Sequence, residues 1–175
     1  MPRRYEQEII FSIEANLVVL KPTGGNKMKN TKLHLLLADD DIDDCDFFRD
    51  AIDEISDTFE LTVLNNGVEL MSFLVTEPET HPNLIFLDLN MPKKSGMECI
   101  AEIKASDSLS HIPIIIYSTS LDHIVVNTLY DMGAHHYIQK PAEFTSIKSV
   151  IKKVISLFDQ TLLQPRSRDN FIIQP

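Results

Sequence analysis

With 175 residues, of which 43% are hydrophobic and 24% charged, the chain has the composition of one globular domain with short tails and leaves no room for a second domain of ordinary size. Its 26 acidic residues against 16 basic ones give a formal net charge of −10, which repels a phosphate backbone and argues against nucleic acid as a direct partner. No stretch approaches the roughly 20 apolar residues of a membrane helix, and the two cysteines, Cys45 and Cys99, sit in apolar helical patterns that suit buried thiols in a reducing compartment; a cytoplasmic location without a membrane partner is expected.

Residues 1–32 stand apart from the rest of the chain. Arg3 and Arg4 lead the segment, but Glu6, Glu8 and Glu14 interrupt each apolar run before it reaches the length of a signal-peptide core. The segment closes on Lys21-Pro22-Thr23-Gly24-Gly25-Asn26, a run of turn and breaker residues, with Met28 just after it. A poorly ordered N-terminal extension over 1–32 is expected, then a domain over 33–160 and a short exposed C-terminal tail over 161–175.

From Leu33 onward, short apolar runs alternate with helical periodicity, the pattern of βαβ units around a parallel sheet. Five strands are predicted, at residues 33–38, 61–64, 84–87, 112–117 and 136–138. The first, third and fourth are nearly continuous Leu, Ile or Phe, as expected where helices cover both faces. Cys45, Phe48, Ala51, Ile52 and Ile55 form one face of the first helix; Phe144, Ile147, Ile151, Val154, Ile155 and Phe158 form one face of the last. The fold class is therefore α/β, a doubly wound five-stranded parallel sheet in the flavodoxin-like order 2-1-3-4-5.

Four local patterns carry chemistry. In the first, a buried strand ends in Asp39-Asp40-Asp41, adjacent like charges that are either fully solvated or gathered around a cation. Solvated capping suits Asp41, and Asp43 and Asp44 in the first helical turn favour the helix dipole. The second, Leu84-Ile85-Phe86-Leu87-Asp88, is another buried strand that finishes on a carboxylate, followed by a turn closed by Pro92 and Gly96. In the 2-1-3-4-5 order the first and third strands are neighbours at the switch point, which brings Asp39, Asp40 and Asp88 together. Hard oxygen ligands of this kind suit Mg²⁺. The third places Ser118, ahead of Thr119 and Ser120, at the end of the fourth strand, where a helix cap is the ordinary reading. The fourth puts Lys140 at the end of the fifth strand before Pro141, where solvation is ordinary but a cation beside three carboxylates could also hold a phosphoryl oxygen.

These motifs, in this order on alternating strands and helices, resemble the response-regulator receiver family over residues 33 to about 158. The resemblance implies Asp39 and Asp40 as the acidic pair, Asp88 as the phosphoacceptor, Asn90 as the residue whose backbone carbonyl completes a Mg²⁺ site, Ser118 and Tyr137 as the switch hydroxyl and aromatic, and Lys140 as the phosphoryl-binding lysine. It implies phosphoryl transfer from a sensor histidine kinase or a histidine phosphotransfer protein. Ser118 would then follow the phosphoryl group, Tyr137 would turn inward, and the fourth helix, fifth strand and fifth helix would present a changed surface to a downstream protein or, in a dimer, to a second copy. Asn90 and Ser120 would help set the lifetime of the phosphorylated state. Two departures stand out: Ser118 replaces the more usual threonine, and Thr119 replaces a smaller residue and narrows access to the phosphoryl group.

Two other readings compete. A Mg²⁺-dependent phosphohydrolase using Asp88 would want a second acid two residues later, where this chain has Asn90. A receiver-like interaction module that never phosphorylates would be favoured by loss of Asp39, Asp40, Asp88 or Lys140, and all four are present. The chain is thus expected to be no enzyme beyond taking up a phosphoryl group and slowly releasing it.

Overall fold

The leucines of β1 (Leu33–Ala38) alternate between two separate cores, which is why this strand carries no polar face. In the computed structural model, which describes residues 32–159 and 168–175, Leu36 and Ala38 face one side of the sheet and Leu35 and Leu37 the other. The same alternation runs through β3 (Leu84–Leu87) and β4 (Ile114–Ser118), whose residues are all buried. On one face lie α2 (Gly67–Thr76), α3 (Gly96–Ala105) and α4 (His123–Asp131); on the other lie α1 (Ile42–Ile55) and α5 (Phe144–Asp159). At roughly 1.5–3 kcal/mol for each fully buried aliphatic or aromatic side chain, these two layers are the main favourable term of the fold. Phe48 of α1 locks onto the sheet edge-on, 4.8 Å from Phe86 and 5.4 Å from Tyr117 between ring centroids.

The sheet is parallel in the order β2-β1-β3-β4-β5-β6, with β2 at Phe59–Leu64, β5 at His136–Gln139 and β6 at Ile172–Ile173. The expected 2-1-3-4-5 core is present, and a sixth strand is added beside β5, with Tyr137 opposite Ile172 and Ile138 opposite Ile173. Where the sequence suggests only an exposed tail, Phe171 and Ile173 are buried. Their apolar run is too short to show a period, and it follows the breaker Pro165, so neither pattern nor length marks it as a strand. β4 begins at Ile114 and not at Ile112, because Ile112 is taken into a turn by its N–H bond to Leu109 and Pro113 has no N–H to give a ladder. Residues 1–31 and 160–167, which include most of the expected N-terminal extension and the start of the tail, lie outside the described residues.

Helix starts are set locally by side-chain oxygens that take up the free N–H groups of the first turn. Asp41 caps α1 by accepting from the Asp43 and Asp44 N–H groups, as its position in the acidic run suggests. Asn66 caps α2, Ser95 and Glu98 form a reciprocal capping box on α3, and Asp122 caps α4. With Asp122 in that role, Ser118 is not a cap. Of the apolar residues in and flanking α4, Val126 and Leu129 are buried and Leu121, Val125 and Met132 pack partly against the core; Ile124 stays 79% exposed. Cys45 and Cys99 are both free and buried. Among the described residues no helix is long and apolar enough to cross a membrane.

Candidate functional site

The parallel register fixes where the strands end. Ala38 pairs with Leu87, so Asp39 and Asp88 leave their strands side by side at the carboxyl edge of the sheet. The Asp88 N–H is bonded to the Ala38 carbonyl at 2.9 Å, which extends the pairing to the site itself. Ligand atoms of Asp39, Asp40 and Asp88 all lie within 4.8 Å of one another. Asp39 and Asp88 are buried and Asp40 is exposed. The backbone therefore brings together the three carboxylates that the strand-end pattern singles out.

Lys140 enters from the far side, at the end of β5. Its backbone N–H donates to the Ser118 carbonyl at 2.8 Å, tying the ends of β4 and β5 together. Its ammonium lies 2.7 Å from a carboxylate oxygen of Asp39, 2.7 Å from one of Asp44 and 3.7 Å from Oδ1 of Asp88. The Lys140 side chain is only 7% exposed and lies over the Tyr117 ring, 5.6 Å from its centroid. Burial alone would lower its pKa, but hydrogen bonds to Asp39 and Asp44 and the charges of Asp39 and Asp88 raise it, so the ammonium stays charged. Asp44 is a member of this cluster that the sequence pattern assigns only to the helix dipole. Its position in the first turn of α1, capped by Asp41, turns its carboxylate toward the sheet edge.

Burial pushes the Asp39 carboxyl up to about 6, against the pull of the Lys140 hydrogen bond and charge and with a further push from the charge of Asp88. One lysine thus under-compensates the site. Three clustered carboxylates with a buried acid whose charged form is disfavoured fit a hard divalent cation, which would restore that charge balance. Asn90 is exposed, and its N–H donates to Asp88 Oδ2 at 2.8 Å, fixing the plane of that carboxylate. The turn beyond it passes through Lys93 at φ 65, in the left-handed region, and folds back so that the Gly96 N–H reaches the Leu89 carbonyl at 3.0 Å.

The remaining candidates line the β4 and β5 ends. Ser118 is fully buried; its Oγ makes no well-formed hydrogen bond, and the polar group beside it is the Tyr137 hydroxyl. A buried hydroxyl held this weakly can turn to a better acceptor. Thr119 is exposed, and its carbonyl accepts from Gln139 Nε2 at 3.2 Å. Tyr137 is fully buried in an inward position, its hydroxyl donating to the Ser120 carbonyl.

Comparison with known proteins agrees with this geometry. The model of the response regulator receiver domain matches residues 35–152. Response regulator Rcp1 of Synechocystis sp. is 30% identical over 135 residues, which cover 75% of this chain and 92% of Rcp1. The crystal structure of the phosphorylated cyanobacterial phytochrome response regulator RcpA superposes with a TM-score of 0.68 at 30% identity, covering 74% of this chain and 96% of that one. The Mn²⁺-bound form of Rcp1 superposes with a TM-score of 0.62 at 31% identity, covering 67% and 90%.

Proposed function

The chain belongs to the response regulator receiver family of two-component signalling, and we propose that Asp88 is its phosphoacceptor, with Asp39, Asp40, Asp88 and the Asn90 carbonyl as ligands of a Mg²⁺ ion. The observation that carries this reading is the placement of the Asp88 carboxylate: at a strand end, within 4.8 Å of the Asp39 and Asp40 ligand atoms and 3.7 Å from the Lys140 ammonium.

The donor is a phosphohistidine of a sensor kinase or a histidine phosphotransfer protein. The Asn90 N–H holds Asp88 Oδ2, so the carboxylate presents its other oxygen to phosphorus. An Asp88 oxygen attacks in line, the P–N bond of the phosphohistidine breaks, and the electron pair leaves with the imidazole. The product is an acyl phosphate on Asp88, which water later hydrolyses back to the carboxylate and inorganic phosphate. When bound, Mg²⁺ neutralises charge on the phosphoryl oxygens. Lys140, already charged and aimed by Asp39 and Asp44, meets another of these oxygens without having to be desolvated at the moment of reaction. Ser118 supplies a weakly held hydroxyl that can bond a third. Thr119 at the rim restricts access to the phosphoryl group, and Tyr137 reports the change through α4, β5 and α5 to a downstream protein. The protein acts in the cytoplasm, where its two buried thiols remain reduced.

Incubation with acetyl phosphate and Mg²⁺, followed by intact-mass measurement, tests the assignment. One phosphoryl group is expected, lost in Asp88→Asn and on chelation of the metal. Undiminished labelling of the Asn variant would overturn it.

A further inference from the structure

The last described segment, residues 168–175, is docked over the part of the fold that the switch is expected to move. Arg168 donates from Nη1 to Asn127 Oδ1 at 2.6 Å and from Nη2 to Asp131, and its guanidinium lies over the Tyr130 ring, 4.7 Å from the centroid. All three partners belong to α4. Phe171 then turns inward to 2% exposure, edge-on to Tyr130 at 5.3 Å and tilted against Tyr137 at 6.5 Å between centroids. The Phe171 carbonyl accepts the Tyr137 N–H at 2.9 Å, and β6 continues along β5 from there. Lys153 of α5 holds the Gln174 carbonyl at 3.2 Å.

We propose that this segment is an intramolecular ligand of the α4-β5-α5 face whose attachment is coupled to phosphorylation through Tyr137. The inference rests on Asp88 being the phosphoacceptor. The inward Tyr137 ring forms one wall of the Phe171 site, so a docked segment favours that conformer. The phosphoryl group favours the same conformer from the other side, because a bond from one of its oxygens draws the weakly held Ser118 hydroxyl away from the Tyr137 side chain and leaves room for the inward ring. Two ligands that prefer one conformer strengthen each other, and the strengthening is reciprocal. Phosphorylation is therefore read out as firmer attachment of the chain's own segment, and a partner at this face meets Arg168 and β6 as part of the surface.

The test uses the full chain with Mg²⁺ and beryllofluoride, a mimic of the phosphoryl group. Amide exchange at residues 171–173 should slow by a factor of about 5 to 150 on beryllofluoride binding, the usual range of such couplings. Arg168→Ala, an exposed change that spares the core, and Phe171→Ala should weaken beryllofluoride affinity in turn, with the metal site intact. Normal beryllofluoride binding with unchanged exchange at 171–173, and with unchanged affinity in Arg168→Ala, overturns the coupling alone. Failure of the wild type to bind beryllofluoride overturns the assignment of Asp88 and the coupling with it.

Discussion

A Cβ at position 96 would sit 2.2 Å from the carbonyl oxygen of Asp88, closer than any real contact, so Gly96 lets α3 begin directly behind the proposed phosphoacceptor. The Leu89 Cα of the same peptide unit lies 2.9 Å away. Both neighbours are backbone and cannot step aside as a flexible side chain would. Gly96→Ala should therefore shift the loop after β3, cost about 1–3 kcal/mol as overpacking does elsewhere, and slow phosphorylation by acetyl phosphate. Denaturant unfolding and intact mass on the same samples check both effects; full labelling at the wild-type rate would show that the loop tolerates the shift.

Asp40 and Asp41 are adjacent in sequence and do different work. Asp41 caps α1, and Asp40 faces Asp39 and Asp88. Asp41→Ala should lower stability by about 1 kcal/mol, the usual cost of a lost cap, and leave Mg²⁺ affinity nearly unchanged. Asp40→Ala should weaken Mg²⁺ binding and cost little stability. A metal titration and a thermal melt on each variant should give this crossed pattern, and equal losses of affinity would refute it.

Removing the Lys140 ammonium leaves Asp39 and Asp88 buried with no cation between them. Lys140→Met should destabilise the metal-free protein by about 3–5 kcal/mol, as breaking a buried ion pair does. Mg²⁺ should recover part of this loss, giving the variant a larger metal-induced rise in Tm than the wild type. Phosphorylation should persist slowly, because the nucleophile remains. An equal Mg²⁺-induced shift in the two proteins would contradict this account of the site's charge balance.

His135 predicts a pH dependence away from the site. Burial, with the Lys104 charge and then His136 adding to it, lowers its pKa to about 4, and its Nδ1 accepts the Ile114 N–H at 3.1 Å. The neutral ring is thus the native form. Its contribution is fully present above the unfolded value of about 6.5 and is lost as pH falls from there toward 4. His135→Asn keeps an acceptor and does not titrate, so the stability difference between wild type and variant should fall by roughly 2–3 kcal/mol over that range. Asp39 titrates in both proteins and cancels. Urea unfolding at several pH values measures the difference, and a constant one would show that His135 is not the titrating group.

Strand ends are legible in the sequence wherever a fully apolar run stops on a charge. β1 and β3 have the expected limits, and the positions of Asp39 and Asp88 follow from them. β2 is less clear because it is an edge strand: Phe59 and Glu60 precede the apolar part, and the structure adds them to its start. Asp44 is missed because a carboxylate in a first helical turn has a sufficient local explanation, and only the tertiary approach of Lys140 gives it another. The role of Gly96 behind Asp88 is likewise a matter of backbone approach, which no side-chain pattern records. Phe171 is legible only once Tyr130 and Tyr137 are known to flank it.

β6 also bears on solubility. A parallel sheet exposes a row of unpaired N–H and carbonyl groups at each outer strand, and such a row invites pairing with another chain. Here β5 has its outer side covered by β6, and β6 itself is only two residues long, too short to template a lasting pairing. At the opposite margin β2 carries Glu60, an exposed charge of the kind that disfavours pairing with another chain. Loss of the short strand would leave the four-residue β5 as an open margin, so concentrated samples lacking residues 168–175 should aggregate sooner than the full chain.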